Sequence, residues 1–506
     1  MTFLSGWPFW QRFVLSLTTG AVAAFGLPPM GLWVATLAAL MLVPAIAGSA
    51  RSRGECALLG WALGLGYFGH ALVWIVEPFL VDAARHGWMA PFGLFFLAGG
   101  LALFWAAAFG LSMLAKGQRR RQIWFLIGTL SIAEVARGFL LTGFPWAGFA
   151  QIWVGTDVAQ LLALVGPYGL GAATLAIALP PGHTLARGQG GGMLLIRSVP
   201  AMIFALFVIV WPNLRDPVEP GDQLVRLVQP NAAQHLKWHP DHAAEFFQRQ
   251  LDYTAADPRP DLVVWPETSV PVWLDRARDA MEQVATASRG APVVLGIQRS
   301  DYLGRIYNSM AVVGEGGTIT DLYDKYHLVP FGEYVPFGDI MADYGITGFA
   351  ANAGQGFSSG YGPDLIEVGS LGRALPLICY EAVFPQQLNA VSDRADMLLQ
   401  ITNDAWFGTQ SGPYQHLAQA RMRAIEQGLP MVRVANTGIS AMIDPLGQVT
   451  ASLPLGEAGY IDATLPRPFP QTLYAITGDL PVLLAIIALT LGVLRTRDPT
   501  EDQLVN

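Results

Sequence analysis

A chain of 506 residues that is 52% hydrophobic and only 13% charged, with a mean hydropathy of +0.39, departs from ordinary soluble proteins, which carry about 25% charged residues. Its net charge of −8 gives nucleic acid no electrostatic footprint to hold. Two cysteines far apart, Cys56 and Cys379, exclude a disulfide framework.

Apolar segments recur at 11–28, 29–49, 55–76, 89–115, 122–141, 158–180 and 195–212, with another at 473–494. Most approach the ~20 residues that cross a bilayer as a helix, so eight transmembrane helices are expected. Leu27-Pro-Pro29 makes the first two a tight hairpin. Ala21-Val-Ala23 resembles a signal-peptidase site, but the apolar span that follows at once argues against cleavage. Gly64, Gly66 and Gly69 match a dinucleotide-binding pattern inside an apolar span. Close helix packing explains them better, because that pattern needs a preceding strand. Glu134 and Arg137 are spaced to pair across one helical turn, and Phe144-Pro-Trp146 fits an interfacial anchor.

Arg51 and Arg53, then Lys116 and Arg119–Arg121, then Arg187 and Arg197, then Arg495 and Arg497 fall in alternate loops. Positive residues favour the cytoplasmic side. Both termini are then cytoplasmic, and the segment after the seventh span lies on the other side, the periplasm of a Gram-negative-type cell. The expected organisation is a transmembrane part at 1–215, an extracytoplasmic domain at 222–466 and a last transmembrane helix at 472–495.

Within that domain, Leu224–Val228, Leu262–Trp265, Val293–Ile297, Leu375–Ile378, Met397–Ile401 and Met431–Val434 read as strands. Asp241–Ala256, Leu274–Ser288 and Tyr414–Gln427 carry helical spacing. The pattern is α/β. His235, His239 and His242 lack cysteines or clustered carboxylates at ligand spacing, so no metal site is expected.

Three segments carry chemistry. Val263-Val-Trp-Pro-Glu-Thr-Ser269 ends a strand with Glu267; the stretch from Tyr323 to Pro336 holds Lys325 and Glu333; Leu377-Ile-Cys-Tyr-Glu381 ends a strand with Cys379. Catalysts in α/β folds gather beyond the carboxyl ends of strands. Taken singly, Glu267 and Lys325 read as solvated surface groups and Cys379 as a small core residue. Together they fit one reaction. A thiol with an ordinary value of about 8.5 needs a base to become the attacking thiolate. A carboxylate supplies the base. Lys325 and the Tyr380 backbone N–H are candidates to stabilise the oxyanion.

These motifs resemble the Glu-Lys-Cys triad of the nitrilase superfamily. A nitrilase-like domain inserted between membrane spans resembles the apolipoprotein N-acyltransferase family across essentially the whole chain. The resemblance implies an αββα sandwich, with Glu267 as general base, Lys325 as oxyanion stabiliser and Cys379 as nucleophile. It implies supporting roles for Glu333, Tyr380 and Glu381, and substrate contact by Trp238. Trp146, Phe337, Phe349 and Phe357 are further candidate substrate-binding residues, the last three in a hydrophobic segment at 337–362 read as a lid. The implied reaction uses no metal and no cofactor. A phospholipid, typically phosphatidylethanolamine, would acylate Cys379, and the α-amine of a diacylglyceryl-cysteine apolipoprotein would take the acyl chain. The enzyme would be a monomer of the bacterial inner membrane. The alternatives are a membrane-tethered amidase or nitrilase acting on a small amide, and a transporter with a non-catalytic sensor domain.

Overall fold

The computed structural model describes residues 3–115, 121–188, 191–210, 217–336 and 356–495. The chain divides into one unit of Met1–Phe79, Ala84–Asp216 and Thr477–Asn506 and a second of Leu80–Ala83 and Pro217–Ile476.

The first unit is helical. A helix falls on each apolar segment, including Phe9–Ala23, Trp33–Ser49, Arg53–Ala71, Ala90–Ser112, Arg121–Phe139, Leu162–Ala186, Val199–Val210 and Leu480–Arg495. Length and composition qualify fewer of them as spans than the eight expected. Among the described residues, Ala83–Ala115 and Asp157–Ala186 are long and apolar enough to cross a membrane; Arg53–Ala71 with Val73–Leu80, bent by 66°, makes a third if it is one span. Two causes reduce the count. Breaks shorten the helices, as at Ala23 before the Leu27-Pro-Pro29 turn and at Ser198, which separates Gly191–Arg197 from Val199–Val210. Charges lower the hydropathy of others, such as Arg121, Glu134 and Arg137 in Arg121–Phe139.

Small residues set the packing. A Cβ on Gly66 would collide with the Leu17 carbonyl, and one on Gly20 with the Leu63 carbonyl, so these two helices touch backbone to backbone. Buried charges are paired. Glu134 accepts from Arg137 Nε at 2.9 Å and Nη2 at 2.6 Å, and from Trp105 Nε1 at 2.8 Å. Arg137 Nη1 donates to the carbonyls of Phe144 at 2.6 Å and Trp146 at 2.7 Å, tying down the turn that follows its helix. Trp146 is fully buried with its ring 4.6 Å from that of Trp74. The reading of Trp146 as an interfacial anchor therefore gives way to one of core packing, because Arg137 pulls its backbone inward.

The second unit is built on two sheets. The first contains β1 (Leu224–Gln229), β2 (Leu262–Val264), β3 (Val293–Ser300), β4 (Ile306–Val313), β5 (Ile319–Asp324) and β12 (Gly459–Thr464). Its order is β12-β1-β2-β3-β4-β5. The second contains β6 (Ile366–Glu367), β7 (Arg373–Ile378), β8 (Met397–Thr402), β9 (Met431–Ala435), β10 (Ser440–Ile443) and β11 (Val449–Leu453), in the order β11-β10-β9-β8-β7-β6. In each sheet the central joints are parallel, β1/β2/β3 and β7/β8/β9, and the flanking joints are antiparallel.

The sheets face each other, joined by polar links such as Ser440 Oγ donating to Gln229 Oε1 at 2.6 Å. Outside the first sheet, Leu251, Met281 and Val284 from two helices pack on Val263, Trp265 and Leu295. Outside the second, Ala420 and Ala424 of the Gly412–Gln427 helix pack on Leu375, Leu398 and Met431. The layers are therefore αββα, as the resemblance implied.

Candidate active site

The first sheet delivers the carboxylate. Fully buried Trp265 follows apolar β2, and Pro266 carries the chain to Glu267 just past the strand. Thr268 follows at φ 46°, a backbone conformation uncommon for a β-branched residue. Gly296 on β3 permits this path, since a Cβ there would sit 2.6 Å from Glu267 Cα.

Lys325 leaves the end of β5, its backbone N–H held by the Asn308 carbonyl at 2.8 Å. Its Nζ lies 2.9 Å from both Glu333 oxygens and 3.8 Å from Glu267 Oε1, with the side chain 1% exposed. Glu333 is aimed by its own turn, where the Val329 N–H donates to Glu333 Oε2 at 2.8 Å. Burial alone would lower the Lys325 pKa, but the charges of Glu333 and Glu267 outweigh it and hold the amine above the ordinary lysine value. Lys325 is a fixed cation.

The second sheet delivers the thiol. Cys379 follows β7 at φ 53° and opens the turn Cys379–Val383. Burial and then the Glu267 charge push its thiol up, while Lys325 and a hydrogen bond with the Thr402 hydroxyl pull the other way. The resting group is a protonated thiol. A base must remove its proton as it attacks, so the site is arranged for base-assisted attack and not for a standing thiolate.

Glu381 brings the two sheets into register. Its carboxylate accepts from Ile378 N at 2.7 Å, Tyr323 Oη at 2.7 Å, Tyr326 N at 2.8 Å and His327 N at 3.1 Å. One side chain thus pins the Cys379 turn to the segment around Lys325. Tyr380 packs edge-on against His327 and Phe384, at 5.7 Å and 4.9 Å, and those two rings stack on each other at 3.7 Å.

Glu267, Lys325, Glu333 and Cys379 therefore converge, and Glu381 and Tyr380 adjoin them. Trp238 is 43% exposed with Lys237 Nζ 5.4 Å from its ring. The Phe357 N–H donates to the Glu333 carbonyl at 2.8 Å, returning the chain to the site. Phe337, Phe349 and most of the 337–362 segment lie outside the described residues. Trp146 belongs to the helical unit.

Several groups escaped the sequence reading. Asn308 donates to Glu267 Oε1 at 2.6 Å and to Glu333 Oε1 at 3.2 Å. Buried Lys237 donates to the Glu267 carbonyl at 2.9 Å and the Thr268 hydroxyl at 2.8 Å; burial draws its pKa down to about 8 against the opposing Glu267 charge. Asn308 sits in a run, Ile306-Tyr-Asn-Ser-Met310, whose polar residues hid the strand. The lone lysine beside Trp238 was the available signal for Lys237.

Residues 223–472 match the carbon-nitrogen hydrolase family, and residues 19–179 match the apolipoprotein N-acyltransferase N-terminal domain. The chain is 38% identical to the apolipoprotein N-acyltransferase of Rhodopseudomonas palustris, over 97% of this chain and 96% of that protein. It is 36% identical to that of Bradyrhizobium diazoefficiens, over 96% and 95%. Among solved structures, an amidase from Nesterenkonia sp. covers 53% of this chain and 97% of its own at 19% identity, with a TM-score of 0.38. The two full-length relatives share both the helical and the catalytic parts, and on that ground the chain belongs to the apolipoprotein N-acyltransferase family.

Proposed function

We propose that this enzyme moves an acyl chain from a phospholipid, through a thioester on Cys379, to the α-amine of the diacylglyceryl-cysteine of an apolipoprotein. The observation that carries the reading is Lys325, held by Glu333 and facing Glu267, with a protonated and buried Cys379 within the field of both. The helical unit that accompanies this constellation matches the N-terminal domain of the same family.

In the first half-reaction Glu267 takes the thiol proton as Cys379 Sγ attacks the ester carbonyl carbon. Lys325 stabilises the resulting oxyanion electrostatically, where preformed charge in a water-poor site is worth most. The tetrahedral intermediate collapses, the C–O bond breaks, and Glu267 returns the proton to the departing glycerol oxygen. A lysophospholipid leaves and the thioester remains. In the second half the acceptor nitrogen attacks the thioester carbon and gives its proton to Glu267. The C–S bond breaks, and the thiolate leaves and is reprotonated.

Eight membrane passes, with both termini cytoplasmic and the 222–466 domain periplasmic, would place this chemistry where both lipid-anchored substrates lie. Membrane anchoring confines their encounter to two dimensions. The test is mass spectrometry of the Cys379 peptide after incubation with labelled phosphatidylethanolamine. An acyl adduct that persists until a diacylglyceryl lipopeptide is added, and then moves to its amine, is the expected result. Rapid release of free fatty acid would favour a hydrolase. Full function of Cys379→Ala in cells would remove catalysis from this residue altogether.

A further inference from the structure

Beneath the thiol lies a fully buried polar network that the triad chemistry leaves unused. Asp404, His416, Gln400 and Arg433 are all 0% exposed. Gln400 is on β8, Arg433 on β9, Asp404 in the turn after β8, and His416 on the Gly412–Gln427 helix. Four elements of the second sheet layer thus send a polar side chain to one point. Two of them, Gln400 and His416, reach the backbone carbonyl of Cys379; Arg433 and Asp404 hold those two from behind.

The contacts define a chain of command. Arg433 Nη2 donates to Asp404 Oδ2 at 2.5 Å and Nη1 to Gln400 Oε1 at 2.6 Å, which fixes which way the Gln400 amide faces. His416 Nδ1 lies 2.8 Å from Asp404 Oδ1, and Thr402 Oγ1 donates to the same oxygen at 2.9 Å. Gln400 Nε2 is 3.0 Å from His416 Nε2 and 3.2 Å from the Cys379 carbonyl oxygen. His416 Nε2 is itself 3.1 Å from that oxygen. Burial and the adjacent Arg433 favour the uncharged imidazole, although Asp404 opposes them. In that state Nδ1–H donates to Asp404 and Nε2 accepts from Gln400, so Nε2 and the Cys379 oxygen, 3.1 Å apart, are both acceptors and the donor to that oxygen is Gln400. The second Gln400 N–H is left for Cys379. Arg433 and Asp404 then balance in charge, and each polar group has a partner.

The carbonyl matters because of where Cys379 sits. A non-glycine residue at φ 53° occupies the sparsely populated left-handed region and persists only where its surroundings impose it. In that conformation the thiol lies within electrostatic reach of Glu267 and Lys325.

We infer that Gln400, oriented by His416, Arg433 and Asp404, is a positioning residue that clamps the Cys379 carbonyl and holds the nucleophile in its left-handed conformation. The inference rests on Cys379 being the nucleophile but not on which acyl donor it uses. It assigns the four residues no contact with substrate.

The test reads the thiol directly. Full-length protein in detergent is treated with iodoacetamide across a pH series, and alkylation of the Cys379 peptide is followed by mass spectrometry alongside a thermal unfolding curve. Gln400→Met, which keeps the bulk and loses the N–H, should slow alkylation about tenfold at neutral pH and move the pH profile to higher pH, because attack without Glu267 to take the proton depends on the free thiolate. His416→Leu should do the same. His416→Gln, whose amide can donate to Asp404 and accept from Gln400, should recover to within about threefold of the parent rate. A folded Gln400→Met with the parent rate and profile would overturn the inference, as would His416→Gln no faster than His416→Leu. Loss of folding in both Gln400→Met and His416→Gln would also overturn it, by assigning the network to stability. No lipid or lipopeptide enters the assay, so its failure and that of the acyl-transfer reading are told apart.

Discussion

Asn308 holds Glu267 from across the sheet: its Nδ2 donates to Glu267 Oε1 at 2.6 Å and reaches Glu333 Oε1 at 3.2 Å. A neutral donor between two carboxylates keeps them apart while Lys325 serves both. Asn308→Leu removes that donor and leaves Glu267 free to rotate. The expected outcome is a loss of kcat of about 10–100-fold with KM little changed, since the interaction is with the machinery and not the substrate. Single-turnover formation of the Cys379 thioester measures it.

Gly296→Ala addresses the same carboxylate from behind. The new Cβ would lie 2.6 Å from Glu267 Cα and collide with the Thr268 backbone nitrogen, and these atoms belong to rigid strand ends. Overpacking of this kind costs about 1–3 kcal/mol. Thermal unfolding should register that cost, and thioester formation should fall by about tenfold or more because Glu267 must move.

Lys237 gives a pH signature. Its pKa in the folded protein is lowered to about 8 from an ordinary 10.5. Between those values the unfolded chain binds the extra proton, so the stability of the parent rises with pH across that window and is flat with respect to this group below it. Lys237→Met lacks the titration. The stability difference, parent minus Lys237→Met, should therefore shift in favour of the parent from about pH 8 to about pH 10.5. Paired denaturant curves across that range test the sign; a flat difference contradicts it.

Arg226 staples the edge of the first sheet. Fully buried on β1, it pairs with Asp462 on β12 at 2.7 Å through both Nε and Nη2 and donates to the carbonyls of Tyr253, Thr254, Ala256 and Pro258. Arg226→Met strands Asp462 and four carbonyls, and breaking a buried pair from one side costs about 3–5 kcal/mol. The unfolding midpoint should drop while activity per folded molecule is retained, because no residue of the site is touched.

The strands legible in the sequence were β1, β2, β3, β7, β8 and β9, which are the strands that form the parallel joints. Parallel strands buried on both faces read as continuous apolar runs. The antiparallel flanks were missed for the opposite reason. β4 carries Asn308 and Ser309 in its middle, β11 is largely exposed and β12 half-exposed, and β10, though buried, is only four residues long and opens on Ser440. Helix length was overestimated in the first unit because apolar composition continues through breaks such as Leu72 and Ser198, where the helix itself does not.

Sequence alone determined the residue types of the reaction: a carboxylate, a lysine and a thiol placed at or after apolar strands, in a chain with enough apolar segments to anchor it in a membrane. Motif spacing carries that information because each group is fixed by its own strand or turn. Only the tertiary structure decided that Cys379 is a buried thiol in a left-handed conformation, that Asn308 and Lys325 each bridge Glu267 and Glu333, and that Gln400 lies beneath the nucleophile. Those relations join residues of separate strands and two different sheets. Burial, hydrogen-bond geometry and electrostatic balance arise only when the sheets face each other, and no local stretch of sequence encodes them.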